Sequence, residues 1–150
     1  MDRELRREII IDNYEHPTNK TTISNERLEK EQFIKINTNS ESCIDNVDLY
    51  VKFDHDTIAD LYFDGEACAI STSATSIMIK MFLGKKIDDA LMVIDHYYKM
   101  IDEQEYDESL LEELNAYVDI SKQPNRKKCA MLPFNALVKA IGIYKKNTQN

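Results

Sequence analysis

The chain has 150 residues, 43% of them hydrophobic, and its 27 acidic and 19 basic residues give a net charge of −8. The chain has only three glycines and three prolines, and these low numbers argue against a collagen-like or low-complexity chain. The length and composition predict one folded domain over residues 1–150. The excess of acidic residues disfavours nucleic-acid binding. No apolar run approaches the roughly 20 residues of a membrane helix, and the first residues lack the layout of a signal peptide. We therefore expect a cytoplasmic protein that binds neither nucleic acid nor membrane.

The hydrophobic spacing of the first half predicts a helix and a small sheet. Near-helical spacing favours a helix over residues 2–15, stopped by Pro17, and a short strand follows at residues 33–36. Two alternating runs on either side of a turn near His55 predict a hairpin with one buried face, which ends at Gly65. The apolar positions of these runs are Val47, Leu49, Val51 and Phe53, then Ala59, Leu61 and Phe63.

The second half changes to helical periodicity. Helices are predicted over residues 71–83, where Gly84 supplies the stop, and over residues 87–101. A short helix is expected around residues 109–116. The last helix is expected over residues 130–144, with Pro133 in its first turn, where proline is tolerated.

The three cysteines carry the candidate chemistry. Cys43 lies 12 residues before His55 and Cys68 lies 13 after it, so antiparallel pairing brings both to the same end of the hairpin. Asp45 follows Cys43 at the spacing that puts both side chains on one face of an extended segment. Cys68 and Cys129 each precede a predicted helix, whose N-terminus stabilises a thiolate.

Three thiolates and one carboxylate form a four-coordinate set suited to zinc. The alternative is that the cysteines are small buried hydrophobes and Asp45 is an ordinary surface carboxylate, since the chain lacks a CxxC motif. The three histidines are interpreted as surface residues, and Met78 and Met81 as core residues.

Three segments make the chain resemble the SufU branch of the IscU/NifU-like iron–sulfur cluster assembly family over nearly its whole length. They are REIIIDNYEHPTNK (7–20), FDGEACAISTSATSIM (63–78) and SKQPNRKKCAMLPFNAL (121–137). The 61-residue spacing between Cys68 and Cys129, and Lys128 where IscU scaffolds carry His, favour the SufU branch.

The resemblance implies a SufE/NifU-like α+β fold, in which helices cover one face of a small three-stranded antiparallel sheet, with an N-terminal and a C-terminal helix. It implies a zinc ion held by Cys43, Asp45, Cys68 and Cys129. It also implies that Cys43 accepts persulfide sulfur from a pyridoxal-phosphate cysteine desulfurase of the SufS type, a sulfurtransferase-like role in which the zinc releases that thiolate. Arg126 matches a family arginine near the partner interface.

Two further functions remain open. The chain could be a scaffold on which a transient iron–sulfur cluster is built and handed on, or a divergent relative that keeps zinc only for folding. Lys128 favours the sulfur acceptor over the scaffold, because histidine would offer a spare cluster ligand. Ile44 keeps the structural-zinc alternative open, because it replaces the glycine usual in the family between the first cysteine and the aspartate.

Overall fold

The computed structural model of the protein describes residues 1–39 and 46–148. Within these ranges, three antiparallel strands form one sheet, in which they pair in chain order, and the chain forms five α-helices. This confirms the predicted α+β fold, with a three-stranded sheet and a helix at each end. The strands are β1 (Ile34–Asn39), β2 (Asn46–Asp54) and β3 (Thr57–Glu66); the helices are α1 (Arg3–Glu15), α2 (Asn25–Lys30), α3 (Ala69–Phe82), α4 (Ile87–Ile101) and α5 (Pro124–Thr148).

The hairpin forms at the predicted place, but its register differs from simple alternation. Asp54 pairs with Thr57 around a two-residue turn in which His55 has a φ of 55°, and the pairing shifts between Lys52 and Phe53. The expectation that Ala59 is buried is therefore wrong: the irregularity places Ile58 in the core and leaves Ala59 exposed.

The main core lies between the sheet and helices α3, α4 and α5. Helix α3 is deeply enclosed, since Ile77, Met78 and Phe82 are completely buried and every residue from Ile70 to Ile79 is buried. The expectation of a single buried sheet face needs a correction, because Tyr50 on the opposite face packs with Ile23 and Phe33. This second cluster includes Leu28 of the six-residue helix α2. This helix was not predicted, because the sequence around it is polar.

Two other elements differ from expectation. The predicted helix at residues 109–116 is a series of 3-10 turns at Glu108–Leu110, Glu112–Tyr117 and Ile120–Lys122. Helix α5 begins at Pro124 rather than near residue 130, so Pro133 lies inside it and not in its first turn. The turns before residue 130 are polar, and hydrophobic periodicity could not reveal them. No helix within the described ranges is long and apolar enough to span a bilayer.

Candidate metal centre

One end of the sheet gathers the segments that carry the cysteines. Asn39 at the end of β1 pairs with Asn46 at the start of β2, and Asn46 pairs with Glu66 at the end of β3. Beyond Glu66 the chain leads directly to Cys68. In the sequence, residues 40–45 join the end of β1 to the start of β2, and they include Cys43 and Asp45. Both residues lie outside the described part of the chain, so their role as ligands stays a prediction.

The close approach of β2 and β3 at this end requires a glycine. Gly65 has a φ of 124°, a conformation that side chains disfavour, and a Cβ atom there would lie 2.1 Å from the backbone oxygen of Asn46. The glycine therefore permits the pairing that brings β3 and Cys68 beside the start of β2.

Cys68 occupies the position expected from the sequence. It is the N-cap of α3, with an extended backbone, and its sulfur accepts a hydrogen bond from the backbone N–H of Ser71 at 3.5 Å. A sulfur in this position satisfies one of the free N–H groups of the first helical turn. The half-buried side chain is therefore fixed by the helix start.

Cys129 is placed differently from expectation. The prediction that it precedes a helix N-terminus is wrong, because α5 begins five residues earlier and Cys129 lies in its second turn. The side chain is completely buried, and its sulfur lies 3.9 Å from the backbone oxygen of Asn125 in the preceding turn. Arg126 and Lys128 are exposed in the first turns of α5, whereas Lys127 pairs with Asp102 at 3.5 Å.

Pro133 changes the hydrogen bonding of the helix at Cys129. Proline has no N–H group, so the carbonyl of Cys129, four residues earlier, loses its usual helical donor. The Ser71 hydroxyl donates to that carbonyl at 3.0 Å. The hydroxyl of Tyr97 donates to the next carbonyl, that of Ala130, at 2.9 Å. Helix α5 is thus attached to α3 and α4 through two adjacent carbonyls beside the proline.

Ser71 consequently contacts both described cysteine residues. Its backbone N–H reaches the sulfur of Cys68, and its hydroxyl, 3.7 Å from that sulfur, donates to the backbone of Cys129. Ser71 is completely buried. Hydrophobic periodicity and cysteine spacing did not indicate this residue. The only local signal was the four-residue spacing between Cys129 and Pro133, which marks a helical carbonyl that needs another donor.

Buried hydroxyl groups hold the same end of α3 against its neighbours. Ser73 and Tyr117 share a hydrogen bond of 2.6 Å, and burial raises the pKa of the Tyr117 hydroxyl, which stays neutral. Ser76 donates to Asn13 of α1 at 2.8 Å. The helix that carries Cys68 at its start is therefore fixed on several sides by polar contacts.

The donor atoms fit zinc only if residues 40–45 contribute. Within the described ranges, no group of three or more His, Cys, Asp or Glu side chains could hold a metal ion. Of the histidines, His55 lies in the turn at the opposite end of the hairpin, and His96 accepts the backbone N–H of Asp107 at 3.0 Å. Two cysteine sulfurs at fixed helical positions suit a zinc site, for which Cys43 and Asp45 would supply the remaining two ligands.

The fold and these cysteine segments define a class: a small α+β domain with cysteines at one end of a three-stranded sheet. The model of the NifU-like N-terminal domain family matches residues 5–150. The zinc-dependent sulfurtransferase SufU of Bacillus subtilis (strain 168) is 35% identical over 138 residues, which cover 91% of this chain and 89% of that protein. The chain therefore belongs to the NifU-like N-terminal domain family, and its resemblance to SufU-type members is confirmed.

Two further comparisons agree. The iron–sulfur cluster assembly scaffold protein IscU of Streptococcus pyogenes serotype M1 is 37% identical over 107 residues, covering 71% of this chain and 67% of that protein. A crystal structure from Fervidobacterium islandicum AW-1, described as a candidate iron–sulfur cluster assembly scaffold protein for the SUF system, superposes with a TM-score of 0.74 at 31% identity, covering 87% of this chain and 91% of that one. Both likenesses extend over most of the described fold.

Proposed function

We propose that this protein is a cytoplasmic iron–sulfur cluster assembly protein of one domain, which accepts persulfide sulfur from a pyridoxal-phosphate cysteine desulfurase. The observation that carries the proposal is the Ser71 contact, because it holds Cys68 and the Cys129 backbone together beside the start of β2. Family membership and the likeness to a zinc-dependent sulfurtransferase support it.

The proposed metal ligands are Cys43, Asp45, Cys68 and Cys129. Zinc bound to this set would supply a positive charge that keeps the coordinating thiols deprotonated. The described residues contribute rigidity to such a site, since Cys68 caps α3 and Cys129 is enclosed in α5.

Cys43 is the proposed sulfur acceptor. Cys68 and Cys129 are each committed to a helix, and moving either one would disturb the contacts of Ser71 or the packing of α5. Cys43 instead belongs to the six-residue connection between two strand ends. It is the cysteine that can react at the least structural cost to the helices.

The transfer step is a thiol–persulfide exchange. The Cys43 thiolate attacks the terminal sulfur of the desulfurase persulfide, and a new S–S bond forms as the donor's S–S bond breaks. The donor cysteine leaves as a thiolate, and the terminal sulfur keeps its oxidation state. No external oxidant or reductant is needed, because the bond that forms replaces the bond that breaks.

Arg126 is the proposed partner-binding residue. It is exposed in the first turn of α5, three residues before Cys129, and among the described residues it forms no ion pair. A free guanidinium beside the cysteine segments can bind a carboxylate of the desulfurase.

The test is to incubate the zinc-loaded protein with a SufS-type desulfurase and free cysteine, and to locate persulfide by mass spectrometry of alkylated peptides. We expect persulfide on the Cys43 peptide and its loss in Cys43→Ser, whereas Ser109→Ala, a surface hydroxyl change, leaves it intact. Persulfide mainly on the Cys129 peptide would reject the assignment. Purified protein that contained iron and absorbed visible light would favour the scaffold function, to which the likeness to IscU points.

A further inference from the structure

A groove beside the cysteine segments has a basic rim and an apolar floor. It encloses about 490 Å³ between α1, the 3-10 turns and the start of α5. Its floor includes Ile10, the nearly buried Ile70 and the nearly buried Ile120, and Ile11 is 40% exposed at its edge. The uncovered hydrophobic surface of the groove comes from the partly buried Ile10 and the exposed Ile11 of α1.

The rim concentrates positive charge on an otherwise acidic protein. Four arginines line the groove, Arg3, Arg6, Arg7 and Arg126, together with one carboxylate, that of Asp119. Arg6 pairs with Asp119 at 3.0 Å, and among the described residues the other three arginines form no ion pair. The whole chain carries a net charge of −8, so this local surplus of positive charge is opposite in sign to the overall charge of the protein.

We propose that this groove docks an acidic peptide segment of the sulfur-donating desulfurase, one that carries at least one large apolar side chain. Apolar floors with arginine at the edge are characteristic of protein–protein interfaces, where arginine is enriched and charged groups surround a hydrophobic centre. A small free anion would gain nothing from the isoleucine floor. The inference rests on the proposed function for the identity of the partner.

The position of the groove connects docking to the chemistry. Ile70 lies two residues after Cys68, and Arg126 lies three residues before Cys129. A partner segment seated here lies next to both fixed cysteine segments, so docking brings the donor persulfide to the same end of the sheet. The N-terminal helix thereby becomes a recognition element as well as a structural one.

The test uses the zinc-loaded full chain and a fluorescently labelled SufS-type desulfurase, with affinity measured by anisotropy. Arg3→Glu combined with Arg7→Glu should weaken binding at least tenfold at about 0.05 M salt, and the difference should shrink at about 0.5 M salt because screening shortens the range of the charges. The matched control is Lys139→Glu combined with Lys146→Glu, which reverses two exposed charges on α5 away from the groove and should change affinity less than twofold. Ile11→Ser should weaken binding about fivefold at both salt concentrations, since it removes apolar contact.

Equal losses in the two double variants, or no binding of the wild type, would overturn the docking groove. If Arg3→Glu combined with Arg7→Glu weakened binding to phosphatidylglycerol vesicles but left the affinity for the desulfurase unchanged, the result would overturn the docking groove in favour of a membrane surface. The proposed function fails by a different readout, the absence of persulfide on wild-type Cys43, so the two failures are distinguishable. Circular dichroism of each variant establishes that it is folded.

Discussion

The contact between Ser71 and Cys129 predicts a specific energetic coupling with Pro133. Replacing Ser71 with alanine removes the hydroxyl that donates to the Cys129 carbonyl at 3.0 Å. Both Ser71 and Cys129 are completely buried, and Pro133 cannot supply an N–H in its place. The variant therefore leaves a buried carbonyl without this donor, which costs about 1–3 kcal/mol.

The same substitution should cost less once Pro133 is also replaced with alanine. Pro133→Ala restores a backbone N–H four residues after Cys129, which can donate to the same carbonyl. The loss caused by Ser71→Ala in the Pro133→Ala background should then fall by at least about 1 kcal/mol, and the difference is the coupling energy between the two positions.

The measurement is a double-mutant cycle from urea unfolding, followed by far-ultraviolet circular dichroism. With an m-value of about 2 kcal/mol/M, a loss of about 2 kcal/mol lowers the midpoint by about 1 M. Ser73→Ala is the matched control, since Ser73 is also a buried α3 serine but hydrogen-bonds Tyr117 instead. Its effect should be additive with Pro133→Ala within about 0.5 kcal/mol. Additive effects for Ser71 and Pro133 would show that the proline does not leave the carbonyl dependent on Ser71.

Two other predictions concern the metal ligands and the close approach of strands β2 and β3 at Gly65. Cys68→Ser and Cys129→Ser should each weaken zinc binding more than Asp45→Ala, because thiolates are the stronger zinc ligands. Competition with a chromophoric chelator ranks the zinc affinities of the three variants. A larger loss of affinity in Asp45→Ala would contradict the ligand assignment. Gly65→Ala should destabilise the protein by about 3 kcal/mol, because its Cβ would meet the Asn46 backbone at 2.1 Å. Gly142→Ala, whose Cβ meets no atom within 4 Å, should leave the unfolding midpoint unchanged or raised, and similar midpoints for both variants would refute the close approach.

The sequence predicted most accurately those elements that have a long periodic hydrophobic face. Helix α4 begins and ends where its spacing indicated, and α1 and α3 begin within two residues of the expected positions. The predicted elements were wrong or missing where hydrophobic periodicity is absent or interrupted. The first turns of α5 are polar, α2 is only six residues long, and the irregularity between Lys52 and Phe53 exchanges Ala59 for Ile58 in the core.

The site shows why tertiary partners limit prediction from sequence. Cys68 was placed correctly because an N-cap position depends on the residues that follow it locally. The environment of Cys129 depends on Ser71, which lies 58 residues away, and on a proline whose tolerance requires that distant donor. Pro133 would be unfavourable in an isolated helix, because it lacks an N–H group. In the folded protein, the carbonyl of Cys129 that lacks this donor accepts from Ser71 of α3. The next carbonyl, that of Ala130, accepts from Tyr97 of α4. A residue that breaks a local rule within the helix thus fixes the position of a candidate metal ligand relative to its neighbours.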